Sequence, residues 1–209
     1  MRPEVGLASK LILAIDTSAA HCAAALLWGD AGATRIVTRS EDMAKGQAER
    51  LVPMVADLMA ANGVTWADLT GLAVGVGPGN FTGIRIAVAF VRGLALARAI
   101  PAIGVTGFEA LASGQTAPFW TAIAAPRDQT YVQGWGVADG APRLIQPGDI
   151  AALPGTIHRM ADLSPADLVT RVAQVASAKS GQPNPRPAPY YLRAADAAPP
   201  SDPAPVILP

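Results

Sequence analysis

Residues 71–93 read GLAVGVGPGNFTGIRIAVAFVRG. Leu72, Val74 and Val76 alternate as in a strand buried within a sheet, Gly77-Pro78-Gly79-Asn80 breaks the alternation, and helical spacing resumes at Thr82. The predicted helix covers residues 82–99 and is stopped by Pro101. A strand that feeds a glycine turn and then a helix N-terminus can hold an anion, because the first N–H groups of a helix lack partners and the macrodipole is positive there. Two readings of the turn stay open: a phosphate grip, or a tight turn in which glycine supplies backbone freedom. No lysine follows as in G-x-x-x-x-G-K-[ST], and Gly83 falls one residue late for G-x-G-x-x-G, so the nucleotide signal is weak.

Working outward, the same period changes recur. Residues 11–15 (LILAI) read as a central strand, 23–28 as a second beyond a turn near 19–21, and 34–39 as a third beyond a turn at 29–32. Short turns between them predict antiparallel pairing. Leu51, Met54, Val55, Leu58 and Met59 recur at helical spacing, predicting a helix over 47–61 that ends at Asn62-Gly63. The strand at 72–76, the helix at 82–99 and a short strand at 102–105 complete a β-β-β-α-β-α-β order. Beyond it, 108–113 reads as a short helix, and 120–125 and 130–137 as strands. Ser164-Pro165-Ala166-Asp167 starts a further helix, with serine as cap, proline in the first turn, and Leu163 placed to staple to Leu168. From Gly181 proline dominates, which rules out a regular ladder and predicts an extended or partly disordered course. The expected divisions are 1–104, 105–180 and a tail at 181–209.

The totals narrow the function. Of 209 residues 51% are apolar, enough for a substantial core, and sixteen basic residues balance sixteen acidic ones. No net field exists to draw nucleic acid or an anionic membrane. One cysteine, Cys22, excludes an internal disulfide and a thiolate metal cluster. Arg2, Lys10 and the apolar run 11–15 imitate a signal peptide, but Asp16 ends the run after five residues, short of the about 7–15 that such a segment needs. Arg85, Arg92 and Arg98 interrupt the other long apolar stretch, so it is no membrane span. A soluble, cytoplasmic protein is expected.

Candidates for chemistry are few. Asp16-Thr17-Ser18 ends the first strand, where an α/β sheet places active residues. Asp16 could face a metal–nucleotide with the hydroxyls on phosphate, or Asp16 and Thr17 could cap the following turn. Glu109 and Asp128 are the other potential bases near the sheet. His21 and His158 are the only histidines and form no H-x-x-x-H or H-E-x-x-H spacing, which excludes a metal site built on a helical pair. A Ser-His-Asp hydrolase lacks its G-x-S-x-G elbow. Cys22 sits in an apolar strand and reads as core. No catalytic residue and no metal ligand is assigned. Each of the helices at 47–61 and 82–99 could simply pack on its own sheet, the commoner case, yet both are apolar beyond one narrow stripe. Ile84, Ile86, Val88, Phe90 and Val91 point nearly all ways round, and Gly83, Ala87, Ala89 and Gly93 permit close approach, so a covering partner is expected.

Taken together, LAIDTSAAHCAAAL (13–26), GQAERLVPMVADLM (46–59), GLAVGVGPGNFTGIRIAVAFVRGLALA (71–97), PAIGVTGFEALA (101–112) and Pro189-Tyr190-Tyr191-Leu192-Arg193 resemble the bacterial TsaB (YeaZ) family. These are tRNA threonylcarbamoyladenosine biosynthesis proteins formerly grouped as M22 glycoprotease-like. The resemblance covers residues 10–135 and the Tyr-Leu-Arg element. It implies an actin/Hsp70/sugar-kinase-like (ribonuclease H-like) α/β fold of two lobes, the second reduced. It also implies a non-catalytic relative of the catalytic subunit TsaD, heterodimerising with it through a helical bundle and assembling with the ATPase TsaE. On that reading ATP and metal belong to the partner subunits, no cofactor to this chain, and tRNA is met through the complex. The resemblance points to Leu51, Met54, Val55, Leu58, Ile84, Val88, Val91 and Leu94 as the partner surface, and to Asp16, Thr17, Gly77, Gly79 and Asn80 as the vestige of a nucleotide cleft. Two departures stand out. Where relatives commonly read Asp-Ala-Arg, this chain has Ala125-Pro126-Arg127, and Gly46-Gln47 replaces a frequent histidine and small residue.

The competing class is a small-molecule phosphotransferase of the same superfold, which needs a second phosphate loop and an adenosine-binding glycine motif that residues 105–209 do not display. Without its partner the same apolar surface is expected to pair with itself as a homodimer.

Overall fold

The computed structural model describes residues 10–29 and 34–192. Arg2, most of the turn at 29–32, Arg193 and the tail beyond it lie outside the described residues. The first sheet holds β1 (Leu11–Asp16), β2 (His21–Trp28), β3 (Arg35–Asp42), β4 (Gly71–Gly75) and β5 (Ala102–Val105) in the order β3-β2-β1-β4-β5. The β1–β2 and β2–β3 pairs are antiparallel, while β1–β4 and β4–β5 are parallel, with Ala14 opposite Ala25 on one side and Ala73 on the other. The expected order and antiparallel start are present.

Period-two alternation gives the sheet two faces of different size. One face offers Leu13, Ile15, Leu26, Leu72 and Val74 to helices α1 (Gln47–Ala61) and α2 (Phe81–Arg98). The other offers Ile12, Ala14, Ala23, Ala25 and Ala73. Alanine keeps that face shallow enough for α4 (Pro165–Lys179) to lie on it through Leu168, Val169, Val172 and Ala176. Helix α4 is encoded in the second part of the chain, yet it packs on the first sheet.

The second sheet has the order β8-β7-β6-β9, from β6 (Phe119–Ala124), β7 (Thr130–Trp135), β8 (Arg143–Ile145) and β9 (Ile157–Arg159). Its inner side packs Ile123 and Tyr131 against Phe108 and Leu111 of α3 (Gly107–Ala112). Its outer side buries Trp120, Ala122 and Val132. Lys179 at the end of α4 pairs with Glu109 of α3, joining the two halves.

Beyond α4 residues 181–192 form a strap without helix or strand. The Tyr190 N–H donates to the Val76 carbonyl at 2.8 Å, and the Tyr190 ring packs against the cores of both sheets. The mixed α/β arrangement, two sheets with helices on both faces of the larger, is that of the actin/Hsp70/sugar-kinase-like fold with a reduced second lobe.

Candidate functional site

The two turns that leave β1 and β4 meet. Asp16 ends β1 almost fully buried, and its Oδ1 accepts from the Ser18 N–H at 2.9 Å, the Ser18 hydroxyl at 2.8 Å and His21 Nε2 at 2.8 Å. The Thr17 hydroxyl donates to the Gly83 carbonyl at 2.7 Å, and the Asn80 N–H donates to the Ser18 carbonyl at 2.7 Å. Asn80 caps α2, its Oδ1 accepting from the Gly83 N–H at 2.9 Å. A β-carbon on Gly79 or Gly83 would overlap the carbonyl oxygens of Ser18 and Thr17 respectively, so only glycine allows this approach. Asp16, Thr17, Gly77, Gly79 and Asn80 are therefore brought to one place.

Their hydrogen bonds decide what that place can do. Two N–H groups that would face an anion, those of Asn80 and Gly83, point instead at Ser18 and at the Asn80 side chain. The Gly77 carbonyl accepts from the Gly107 N–H at 2.8 Å, tying the turn to α3. The seam is a joint between strand ends.

Sequence spacing gave no hint that Ser18, His21 and Asp16 touch. Closing the β1–β2 turn brings His21, first residue of β2, back onto the end of β1. Ser18 and His21 both bond the same Asp16 oxygen, so the serine hydroxyl donates to the carboxylate and not to the imidazole. A nucleophile–base relay requires the second of these. The other candidate bases lie elsewhere. Glu109 closes a capping box with Thr106 and pairs with Lys179. Asp128 sits exposed in the β6–β7 turn. Burial, and then the Glu41 carboxylate, push the Cys22 thiol up to about 11, so it is no nucleophile at neutral pH.

A cleft of about 530 Å³ opens beside the seam, between Pro78-Gly79-Asn80 and the β6–β7 turn at Ala125-Pro126. His21, Arg159 and Ser164 are among the polar residues that line it. Among the described residues no group of histidine, cysteine and carboxylate side chains could hold a metal ion, and no helix is long and apolar enough to cross a membrane.

The helix surface requires a correction. Leu51, Met54, Val55, Leu58, Ile84, Val88 and Val91 are buried on their own sheet, and Leu94 is half-buried beside them. The i, i+3, i+4 stripe that singled them out marks the side that packs inward. The side left to solvent carries Glu49, Val52, Pro53, Ala56, Asp57 and Ala60 on α1 and Arg85, Ala89, Arg92, Gly93 and Leu96 on α2. Val52 is 45% exposed and Leu96 77%.

The family profile described as "TsaD: tRNA N6-adenosine threonylcarbamoyltransferase" matches residues 39–138. The chain is 39% identical over 103 residues to the tRNA threonylcarbamoyladenosine biosynthesis protein TsaB of Escherichia coli, covering 49% of this chain and 43% of that one. It is 31% identical over 173 residues to an uncharacterized protein of Mycobacterium bovis, covering 75% of this chain and 79% of that one. A solved Pseudomonas aeruginosa protein, described as similar to peptidase YeaZ, superposes with a TM-score of 0.65 at 29% identity, covering 88% of this chain and all of the other. The chain spans less than half the length of the curated TsaB proteins it matches.

Proposed function

This chain belongs to the TsaB (YeaZ) family, and on that premise we propose that it is the non-catalytic subunit required for tRNA threonylcarbamoyladenosine modification. In this reading it heterodimerises with a catalytic TsaD subunit and joins a TsaE ATPase, and tRNA is met through the assembly. ATP and metal are bound by the partners. The observation that carries the reading is the seam: Asn80 and Gly83, whose N–H groups would grip a phosphate, spend them on internal bonds. What the chain offers outward instead is the exposed small and apolar face of α1 and α2, from Val52 to Leu96. A face of this kind fits two helices of a related subunit laid across it.

The test is co-purification with TsaD. Wild type is expected to form a heterodimer, whereas Val52→Glu and Leu96→Glu, folded by circular dichroism, are expected not to. Both side chains are exposed, so a charge there leaves the core intact. Normal binding by both variants would overturn the proposed face. ATP turnover by the isolated chain, lost in Asp16→Asn, would overturn the non-catalytic role.

A further inference from the structure

Along α2, its flanking strands and the strap, the formal charges are all of one sign. Between Leu69 and Phe108 the charged residues are Arg85, Arg92 and Arg98, and between Ser180 and Leu192 there is Arg186; no aspartate, glutamate or lysine occurs in either segment. Two of the four are engaged. The Arg85 guanidinium lies 3.6 Å over the Phe81 ring and donates to the Tyr191 hydroxyl at 2.9 Å, and Arg98 donates to the Ala67 carbonyl at 3.2 Å. Arg92 and Arg186 make no hydrogen bond or ion pair among the described residues. Both line one groove of about 410 Å³ between α2 and the strap, over Ala95, Leu96, Ile100 and Pro187.

We propose that this groove takes an acidic segment of the partner subunit anchored by an apolar side chain, so that the strap is part of the docking surface. The inference rests on the heterodimer reading above and names the chemistry of the partner. Two guanidinium groups on one groove, with no carboxylate among the described residues that line it, repel each other, and a carboxylate between them removes that cost. Leu96, more exposed than any other large apolar side chain among the described residues, supplies the contact for the anchor. The groove is continuous with the α1–α2 face, because Leu96 belongs to both. A protein fits better than RNA. The floor is aliphatic and offers no ring on which a base could stack, and the nearby Phe81 and Tyr191 rings are already stacked on each other, 5.0 Å between centroids.

The experiment is a binding titration of purified TsaD against wild type, Val52→Glu, and Arg92→Glu/Arg186→Glu, at low salt and at roughly 0.5 M salt. Circular dichroism melts establish that each variant is folded. Wild-type affinity is expected to fall with salt. The double reversal is expected to bind about tenfold more weakly at low salt and to lose most of its salt dependence. Val52→Glu is expected to weaken binding while keeping the wild-type salt slope. Wild-type affinity and slope in the double reversal would overturn the groove and leave the heterodimer standing. Absence of binding by wild type would overturn the heterodimer and the groove with it. A double reversal that keeps TsaD binding but loses a fluorescein-labelled anticodon stem-loop RNA would overturn it in favour of nucleic acid.

Discussion

Thr17 and Gly83 hold each other from both sides. The Thr17 hydroxyl donates to the Gly83 carbonyl at 2.7 Å, and the Thr17 carbonyl fills the space that a side chain on residue 83 would need. The end of β1 and the first turn of α2 are thereby locked together across a gap of sixty-six residues.

Gly83→Ala is expected to destabilise the protein although alanine is the better helix former. The propensity gain is about 1 kcal/mol, while forcing a methyl group onto a backbone oxygen costs more, on the order of 3 kcal/mol. Urea denaturation should show a lower midpoint with an unchanged slope. A midpoint at or above that of wild type would mean that the seam yields.

Asp16→Ala should behave as a lesion of the fold. It strands buried His21 Nε2 together with the half-buried Ser18 N–H and hydroxyl, a loss of about 2–3 kcal/mol. Asp16→Asn, which keeps an acceptor oxygen, is expected to lose roughly half of that. Equal losses for the two variants in chemical denaturation would show that charge, not acceptance, matters there.

Cys22 should resist alkylation. It is buried, and its thiol is pushed up to about 11. At pH 8 labelling by iodoacetamide is expected to be slow in native protein and to accelerate in step with urea unfolding. Fast native labelling would show that the β2 edge of the core opens locally.

Glu109 contributes a pH-dependent term. Burial pushes its carboxyl up, but the Lys179 ammonium and the Thr106 N–H and hydroxyl pull harder and hold it below the ordinary carboxylate value. Its stabilisation is therefore present above the unfolded-state value, near 4.3, and is lost as pH falls through the folded one. Glu109→Gln should melt below wild type at pH 7, and the gap should close as pH falls below about 4. A gap that stays constant between pH 7 and pH 3 would remove the ion pair from the account.

Much of the first sheet was legible in the sequence because its signals are local. Residues 47–61 are helical as their periodicity predicts, and α2 begins one residue earlier than expected, at Phe81, because Asn80 is the cap. The three-residue strands β8 and β9 were not legible, since three residues establish no period. The docking of α4 was hidden for another reason. Its apolar stripe says that it packs, and only the alanines of a distant strand pair say where.

The site was legible in part. Asp16, Thr17 and the glycine turn converge because each ends a neighbouring strand. The Ser18–Asp16–His21 contact depends on the sharpness of a turn, which residue types alone do not give. For the helices the apolar stripe was read as the surface offered to a partner. A stripe at helical spacing identifies the best-buried side, and a docking face is found by subtracting what the sheet already covers.

The shallow alanine face beneath α4 has a consequence for biosynthesis. Ala14, Ala23, Ala25 and Ala73 are all translated before Phe81, whereas their cover begins at Pro165. A ribosome releases the whole first sheet, which ends at Val105, while one of its faces is still bare, and about sixty residues must follow before its cover begins at Pro165. During that interval the nascent chain presents to the cell a flat, methyl-lined surface that the finished protein never shows, which makes the emergence of Leu168 to Ala176 the event that ends its exposure to aggregation.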